Sequence, residues 1–111
     1  MSFMPHRPLT TRAHVSQLRP AARDAAALMR AMGNPQRLLL LCELSQHESS
    51  VSELALRTGI RQPTLSQQLA VLRDQDLVFG RREGKQVHYS VAEPRALAVL
   101  KLLYRLYCKG K

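Results

Sequence analysis

The chain has 111 residues, which is enough for one domain with a modest hydrophobic core. It carries 17 Lys and Arg against 8 Asp and Glu, a formal net charge of +9, so polyanions such as nucleic acid are the expected partners. Its residues are 45% hydrophobic but only 5% aromatic, a composition typical of helical proteins. No continuous apolar run is longer than that of residues 38–42, which is far shorter than the roughly 20 residues that cross a bilayer, and this excludes a membrane-spanning protein.

The N-terminus has no continuous hydrophobic segment of the kind found in secretory signals. We therefore expect a cytoplasmic protein, in which Cys42 and Cys108 are kept reduced and form no permanent structural disulfide. Residues 1–14 contain prolines and arginines but no acid, which predicts a mobile basic arm. Residues 15–109 are predicted to form the folded domain.

Two helices are predicted at the start of the domain. Apolar residues at three- and four-residue steps indicate a first helix with Pro20 near its start and Met32 at its end. Asn34 and Pro35 then form a typical helix start, an N-cap followed by proline. This second helix continues to Gln46 and is apolar on most sides, so we expect it to be the central helix of the core.

A helix-turn-helix is predicted next. After a polar loop, Ser52 opens a short helix over residues 53–58, and Gly59 closes it in the left-handed conformation. Another helix begins at Gln62 and continues to about Gln75.

The last part of the chain predicts a β-hairpin and a final helix. Two β-prone runs, residues 77–79 and 87–91, flank a basic segment that contains glycines for the turn. Pro94 begins a helix to about Lys109 that is apolar on two sides, one for its own domain and one for a partner chain. The order of elements indicates a mainly α winged helix-turn-helix fold with a small β-hairpin wing.

The second helix of such a motif enters the major groove of DNA, and its first residues meet the base edges. The residues in that position are polar and uncharged: Gln62, Thr64, Ser66, Gln67 and Gln68. Glutamine can contact adenine through two hydrogen bonds, and serine or threonine can contact bases or phosphates. Basic residues near this helix and in the hairpin are the predicted phosphate contacts: Arg57, Arg61, Arg73, Arg81, Arg82 and Lys85. Each alone would be an ordinary solvated residue, but together they predict double-stranded DNA as the partner.

The chain resembles the ArsR-type bacterial repressors over about residues 20–109. The resemblance rests on NPQRL at 34–38, SELA at 52–55, QPTLSQQLAVL at 62–72 and RREGKQVHY at 81–89. It implies a homodimer, formed largely through the terminal helices, that binds double-stranded operator DNA at an inverted repeat and releases it when a sensor site is occupied.

Many members of this family sense metal ions, either through a Cys-x-Cys pair on the helix before the helix-turn-helix or through Asp and His on the last helix. Here the first position offers only Cys42, and residues 94–109 contain no Asp, Glu or His. The histidines are not at ligand spacing from one another: His6, His14, His47 and His88. We therefore predict neither a metal site nor a cofactor.

Within the family, the chain is similar to the persulfide-responsive repressors of the BigR and SqrR kind and to the related HlyU-like regulators. These carry one cysteine on the core helix and one near the end of the last helix, the positions of Cys42 and Cys108. The resemblance implies that a disulfide or short polysulfide links the two thiols and lowers DNA affinity. Packed helices lie about 8–10 Å apart and a disulfide joins Cα atoms about 4.4–6.8 Å apart, so facing thiols would be near bridging range.

Other functions remain open at this stage. A regulator that responds to peroxide or to general redox change could use the same pair of thiols. A DNA-binding protein without a switch would use both cysteines as packing residues. An enzyme is not expected, because the chain lacks Cys-x-x-Cys and any Gly-rich cofactor loop. The first attacking thiol is also open: Lys101 and Lys109 favour a thiolate at Cys108, whereas the end of a helix disfavours one.

Overall fold

The computed structural model describes residues 12–108 of the chain, and their side chains from Val15 onward. The chain divides into two compact units, one ending at Arg30 and one beginning at Ala31. Along residues 12–108, no helix is both long and apolar enough to cross a membrane.

The first unit contains most of helix α1, Arg12–Met32. Pro20 was predicted near the start of this helix, but it lies well inside it. Its missing N–H leaves the carbonyl of Ser16 without a helical partner, and water can replace that bond because both residues are exposed. Of the predicted basic arm, residues 1–11 lie outside the described part of the chain, and the last three residues belong to α1.

Helix α2, Pro35–Gln46, has the predicted bounds. The side chain of Asn34 accepts hydrogen bonds from the backbone N–H groups of Gln36 and Arg37 at 2.9 and 3.0 Å, which satisfies the first turn. Leu40 and Leu41 are fully buried, so α2 is the core helix of the second unit.

The helix-turn-helix consists of α3, Val51–Thr58, and α4, Gln62–Asp74. The predicted N-cap Ser52 is wrong, because Ser50 caps α3. The hydroxyl of Ser50 accepts from the N–H of Glu53 at 3.2 Å, and the Glu53 carboxylate accepts from the N–H of Ser50 at 2.8 Å. Gly59 follows α3 with φ 77°, in the predicted left-handed conformation.

A three-stranded antiparallel sheet has the order β1, β3, β2, with β1 at Ser49–Ser50, β2 at Val78–Glu83 and β3 at Gln86–Val91. The sequence did not predict β1, since two residues carry no alternating pattern. The hairpin strands are also longer than predicted. The turn is confined to Gly84 and Lys85, with φ 64° at the glycine, so the basic segment before it is strand.

Helix α5, Pro94–Tyr107, packs against the rest of the second unit through Ala96 and Leu100, which are buried. Several large apolar side chains on the remainder of this helix are exposed: Leu102 (45%), Tyr104 (61%), Leu106 (65%) and Tyr107 (80%). The order of elements is that of the predicted winged helix-turn-helix fold.

Candidate functional site

The residues of α4 that were predicted to contact DNA bases differ in their exposure to solvent. Gln62, Ser66 and Gln67 are exposed, whereas Thr64 and Gln68 are half-buried. Leu65, Leu69 and Leu72 anchor the opposite side of the helix in the core. The three exposed residues are therefore the part of the predicted base-reading set that is open to a partner without rearrangement.

Gln68 is held by the first turn of α2. Arg37 donates from Nη1 to Oε1 of Gln68 at 3.1 Å, and Gln68 donates from Nε2 to Oε1 of Gln36 at 3.5 Å. Arg37 in turn donates from Nε to the carbonyl oxygen of Ala31 at 2.7 Å. These contacts fix the angle between α2 and the start of α4. The sequence did not identify Gln36 and Arg37 as residues of the site, because they lie more than thirty positions before Gln68.

Three of the predicted phosphate-binding arginines have partners within the protein. Arg57 forms an ion pair with Glu43 at 3.0 Å and also donates to the Ser49 hydroxyl. Arg73 donates to the Tyr89 hydroxyl at 3.1 Å, which ties α4 to the wing.

Arg81 donates to both carboxylate oxygens of Glu48, at 3.1 and 2.7 Å, and to Glu83 at 3.4 Å. The hydrogen bonds and charge of Glu48 raise the pKa of Arg81, and the same guanidinium lowers the pKa of the Glu48 carboxyl. The positive charge of Arg81 is thus partly neutralised on the surface of the wing.

The other predicted phosphate contacts are open. Arg61, Arg82 and Lys85 are exposed, and none of them forms an ion pair with another residue in the range 12–108. Arg61 lies immediately before α4, Arg82 is in β2, and Lys85 is in the turn of the wing. Arg61 therefore borders the polar face of α4 at its start, and Arg82 and Lys85 are open cations on the hairpin.

Cys42 and Cys108 lie on two helices that face one another. Cys42 is half-buried on α2, and Cys108 is exposed at the end of α5, where its N–H donates to the carbonyl of Tyr104 at 2.8 Å. Burial raises the pKa of Cys42, and the charges of Cys108 and Glu43 raise it further. Both thiols are free, and helix α2, which contains Cys42, is in contact with helix α5, which Cys108 directly follows.

A groove of about 290 Å³ lies beside Cys42, between α2 and α5. Its walls come from Cys42, Ser45 and Gln46 of α2 and from Leu100, Lys101, Tyr104 and Arg105 of α5. Ser45 donates its hydroxyl proton to the carbonyl of Cys42 at 2.7 Å, which holds the last turns of α2 beneath the groove. The half-buried thiol is therefore accessible from a basic, partly apolar recess.

No group of three His, Cys, Asp or Glu side chains that could hold a metal ion occurs among the described residues. His88 lies 3.6 Å from a carboxylate oxygen of Glu83 on the wing, and His47 follows α2 directly. His6 and the side chain of His14 lie outside the described part of the chain.

Comparison with known proteins agrees with this arrangement. The family described as bacterial regulatory proteins of the arsR family matches residues 34–78. The biofilm growth-associated repressor of Agrobacterium fabrum is 47% identical over 87 residues, which cover 78% of this chain and 74% of the relative. The protein of the same name from Xylella fastidiosa strain 9a5c is 41% identical over 100 residues, covering 88% of each chain.

Two solved structures have the same fold. Reduced HlyU from Vibrio cholerae has a TM-score of 0.81 at 39% identity, covering 85% of this chain and 99% of its own. The repressor BigR from Xylella fastidiosa has a TM-score of 0.78 at 40% identity, covering 91% of this chain and all (100%) of its own. These comparisons confirm the predicted winged-helix fold and the resemblance to the ArsR-type repressors, with BigR and HlyU among the similar proteins.

Proposed function

Because the chain belongs to the ArsR family of bacterial regulatory proteins and is a transcriptional repressor of the BigR type, we propose that Cys42 and Cys108 form its switch. The reduced homodimer binds operator DNA, and a sulfur bridge between the two thiols releases it. The inducer is a reactive sulfur species such as a low-molecular-weight persulfide.

One observation carries this proposal: two free cysteines lie at helices that line the same groove, Cys42 within α2 and Cys108 directly after α5. Cys108 is one helical turn beyond Tyr104, which lines the groove beside Cys42, so we expect a modest shift of the end of α5 to bring the two sulfur atoms within bridging distance. Cys108 is exposed directly after the last residue of that helix.

The bridging chemistry is thiol–disulfide exchange. A cysteine thiolate attacks the terminal sulfane sulfur of a persulfide RSSH. The S–S bond breaks, the small thiol RSH leaves with a proton, and the cysteine becomes CysSSH. The second thiolate then attacks the cysteine's own sulfur and hydrogen sulfide leaves. In sum, two thiols and RSSH give a disulfide, RSH and H₂S, so two cysteine sulfurs lose two electrons and the sulfane sulfur gains them. A second persulfide that reacts before closure inserts one further sulfur.

The bridge would reach the DNA-binding residues through α2. Glu43 follows Cys42 and holds Arg57 of α3, while the first turn of the same helix holds Gln68 of α4. Since α2 is a rigid core helix, a pull at Cys42 is transmitted to both contacts. The switch therefore changes the angle and spacing of the reading helices.

The exposed apolar side chains of α5 support the homodimer. Leu102, Leu106 and Tyr107 are each at least 45% exposed, an arrangement that costs free energy unless a second chain covers it. A two-fold symmetric dimer would present two copies of α4 to an inverted-repeat operator.

Intact mass spectrometry tests the switch. Reduced protein is treated with glutathione persulfide or, separately, with hydrogen peroxide, and DNA binding is measured in parallel. We expect the persulfide to give a product with both thiols consumed in one bridge and operator affinity lowered. Cys42→Ser and Cys108→Ser should bind DNA when reduced but lose the response. Release of a single-cysteine variant by persulfide would contradict the dithiol switch.

The same experiment separates the persulfide sensor from a general redox switch. Peroxide closes the bridge with different products, because two thiols and H₂O₂ give a disulfide and two waters. If only peroxide bridges the pair, the repressor is a peroxide sensor. If neither reagent changes the mass, the cysteines are packing residues and the repressor responds to another signal.

A further inference from the structure

We infer that the groove between α2 and α5 is a recognition site for the anionic end of a low-molecular-weight persulfide, with Lys101 and Arg105 as the anion-binding residues and Cys42 as the thiol it reaches. This inference deepens the proposed function and rests on it. It adds a site outside the thiol pair and makes the charge of the inducer a determinant of its reactivity.

The size of the groove favours an organic inducer over a very small oxidant. Its volume of about 290 Å³ is just below the range of small-molecule sites, about 300–1,000 Å³. It is roughly ten times the share of volume that one water occupies in the liquid. Leu100 and Tyr104 provide apolar walls for the carbon skeleton, and Ser45 and Gln46 add polar groups at the rim.

The charge of the groove favours an anion. Lys101 and Arg105 are one turn apart on α5, both are exposed, and neither forms an ion pair within residues 12–108. The helix itself contains no Asp or Glu. The nearby acid, Glu43, is paired with Arg57 at 3.0 Å, so its repulsion of an incoming anion is reduced.

Binding at these cations would compensate for the weak ionisation of Cys42. Burial raises the pKa of this thiol, which lowers the fraction present as the reactive thiolate near neutral pH. An inducer held by its carboxylates while its sulfane sulfur lies over Cys42 reacts at a high effective concentration. The transferred atom becomes the outer sulfur of the Cys42 persulfide, and the small thiol leaves, as in the first step above. Cys108 is one helical turn beyond Tyr104, from where it closes the bridge.

Matched alkylating reagents test the site without persulfide chemistry. Iodoacetate is an anion and iodoacetamide is neutral, and the two reagents are otherwise similar. The rate of iodoacetate divided by that of iodoacetamide at Cys42 therefore measures the preference of the site for an anion. The full-length Cys108→Ser protein provides a single thiol, and the ratio is normalised to that of N-acetylcysteine. We expect a ratio above that of the free thiol, lowered about threefold by K101Q or R105Q and about tenfold by both, as for weak exposed ion pairs. The preference should shrink at high salt.

Arg95→Gln is the control, because it removes one positive charge from the same helix about 9 Å from Lys101 along the axis. It should leave the ratio nearly unchanged. An unchanged ratio in the double variant would overturn the site. So would a Cys42 that reacts with neither reagent in the native protein, which would indicate that a second copy of the chain covers the groove.

The persulfide arm of the test uses the two-cysteine protein. Glutathione persulfide, which is anionic, should bridge the native pair faster than the cationic cysteamine persulfide, and the K101Q/R105Q variant should lose that difference. If the alkylation preference is present but no persulfide bridges the thiols, the anion site stands and the proposed function fails. If both persulfides bridge equally fast and the alkylation preference is absent, the proposed function stands and the site fails.

Discussion

Glu43, the residue after the half-buried thiol Cys42, forms a 3.0 Å ion pair with Arg57 of the helix-turn-helix. Both side chains are partly exposed, at 30% and 38%, so the pair contributes little to the stability of the fold, on the order of 0.2–1 kcal/mol. Its importance is positional. It joins the helix that carries the thiol to a helix that carries a predicted phosphate contact.

Replacing Glu43 by glutamine should release Arg57 for DNA. We expect the reduced Glu43→Gln protein to bind DNA more tightly and the slope of log affinity against log salt to become steeper by about one unit, the effect of one added phosphate contact. Fluorescence anisotropy over a salt series measures both quantities. Glu93→Gln is the control, since it removes an equal charge beside Arg95 on α5. An identical slope in the two variants would mean that Arg57 does not contact phosphate.

The order of elements was predictable because each helix carries its own signals. Asn34 and Pro35 at the start of α2, Gly59 after α3 and the leucine spacing of α4 are local features, and the structure confirms them. The missed elements depended on distant residues. Strand β1 forms only because Ser49 and Ser50 meet β3, and the hairpin extends past its β-prone core because backbone pairing tolerates most side chains.

The sequence predicted which residue types form the site, but it did not predict which side chains within the protein would bind to them. Arg81 and Glu48 are separated by 33 positions, and Arg37 and Gln68 by 31. No periodic pattern indicates such contacts, so the sequence treated the basic residues as equivalent. The pairing makes them different, which leads to unequal predictions for two neighbouring arginines.

Arg82→Gln and Arg81→Gln should weaken DNA binding to different extents. Arg82 is exposed on the wing and forms no ion pair with another described residue, so its loss should lower the salt slope by about one unit on any sequence. Arg81 is neutralised by Glu48 and Glu83, so its loss should change the slope by clearly less. The same titration measures both variants. Equal slopes would indicate that Arg81 leaves its carboxylates when DNA binds.

Gln67 and Gln68 should also differ in role. Gln67 is exposed, and its replacement by alanine should reduce the preference for operator over random DNA by roughly 1–3 kcal/mol if it reads a base. Gln68 is held by Arg37 and Gln36, so Gln68→Ala should lower the free energy of unfolding by about 1 kcal/mol as well as operator affinity. Competition binding and thermal unfolding separate the effects. A stability loss in Gln67→Ala with unchanged specificity would reverse the assignment.

Gly80 is required by the close approach of β2 to β3. A Cβ atom at this position would lie 2.9 Å from Cγ1 of Val87 and 3.0 Å from Cε1 of Tyr89, the residue whose hydroxyl accepts the hydrogen bond of Arg73. Gly80→Val should therefore destabilise the protein by about 1–3 kcal/mol, measured by chemical denaturation. Phe79→Val places the same side chain at the neighbouring position, which is 59% exposed, and should have a smaller effect. Equal losses of stability in the two variants would show that a shift of strand β2 relieves the clash.

The ionisation of Cys42 offers a direct test of how close the two thiols are. Burial contributes most to its raised pKa, followed by the charge of Cys108 and then that of Glu43. Cys108→Ser removes the second contribution, so the pKa of Cys42 should fall while it stays above the ordinary value for a thiol. The pH profile of iodoacetamide modification at Cys42, read by peptide mapping, gives this value in the native protein and in the variant.

The direction of the change in modification rate follows because the thiolate is the reactive form of cysteine. With a lower pKa, the variant has more Cys42 thiolate at neutral pH, so modification of Cys42 should be faster there than in the native protein and should level off at a lower pH. Ala98→Ser places a serine at another exposed position of α5 without removing a thiol and should leave the profile in place. If Cys108→Ser also leaves the profile in place, the two sulfur atoms do not share an environment. A single bridge between them would then require a larger rearrangement of α5 than the one proposed.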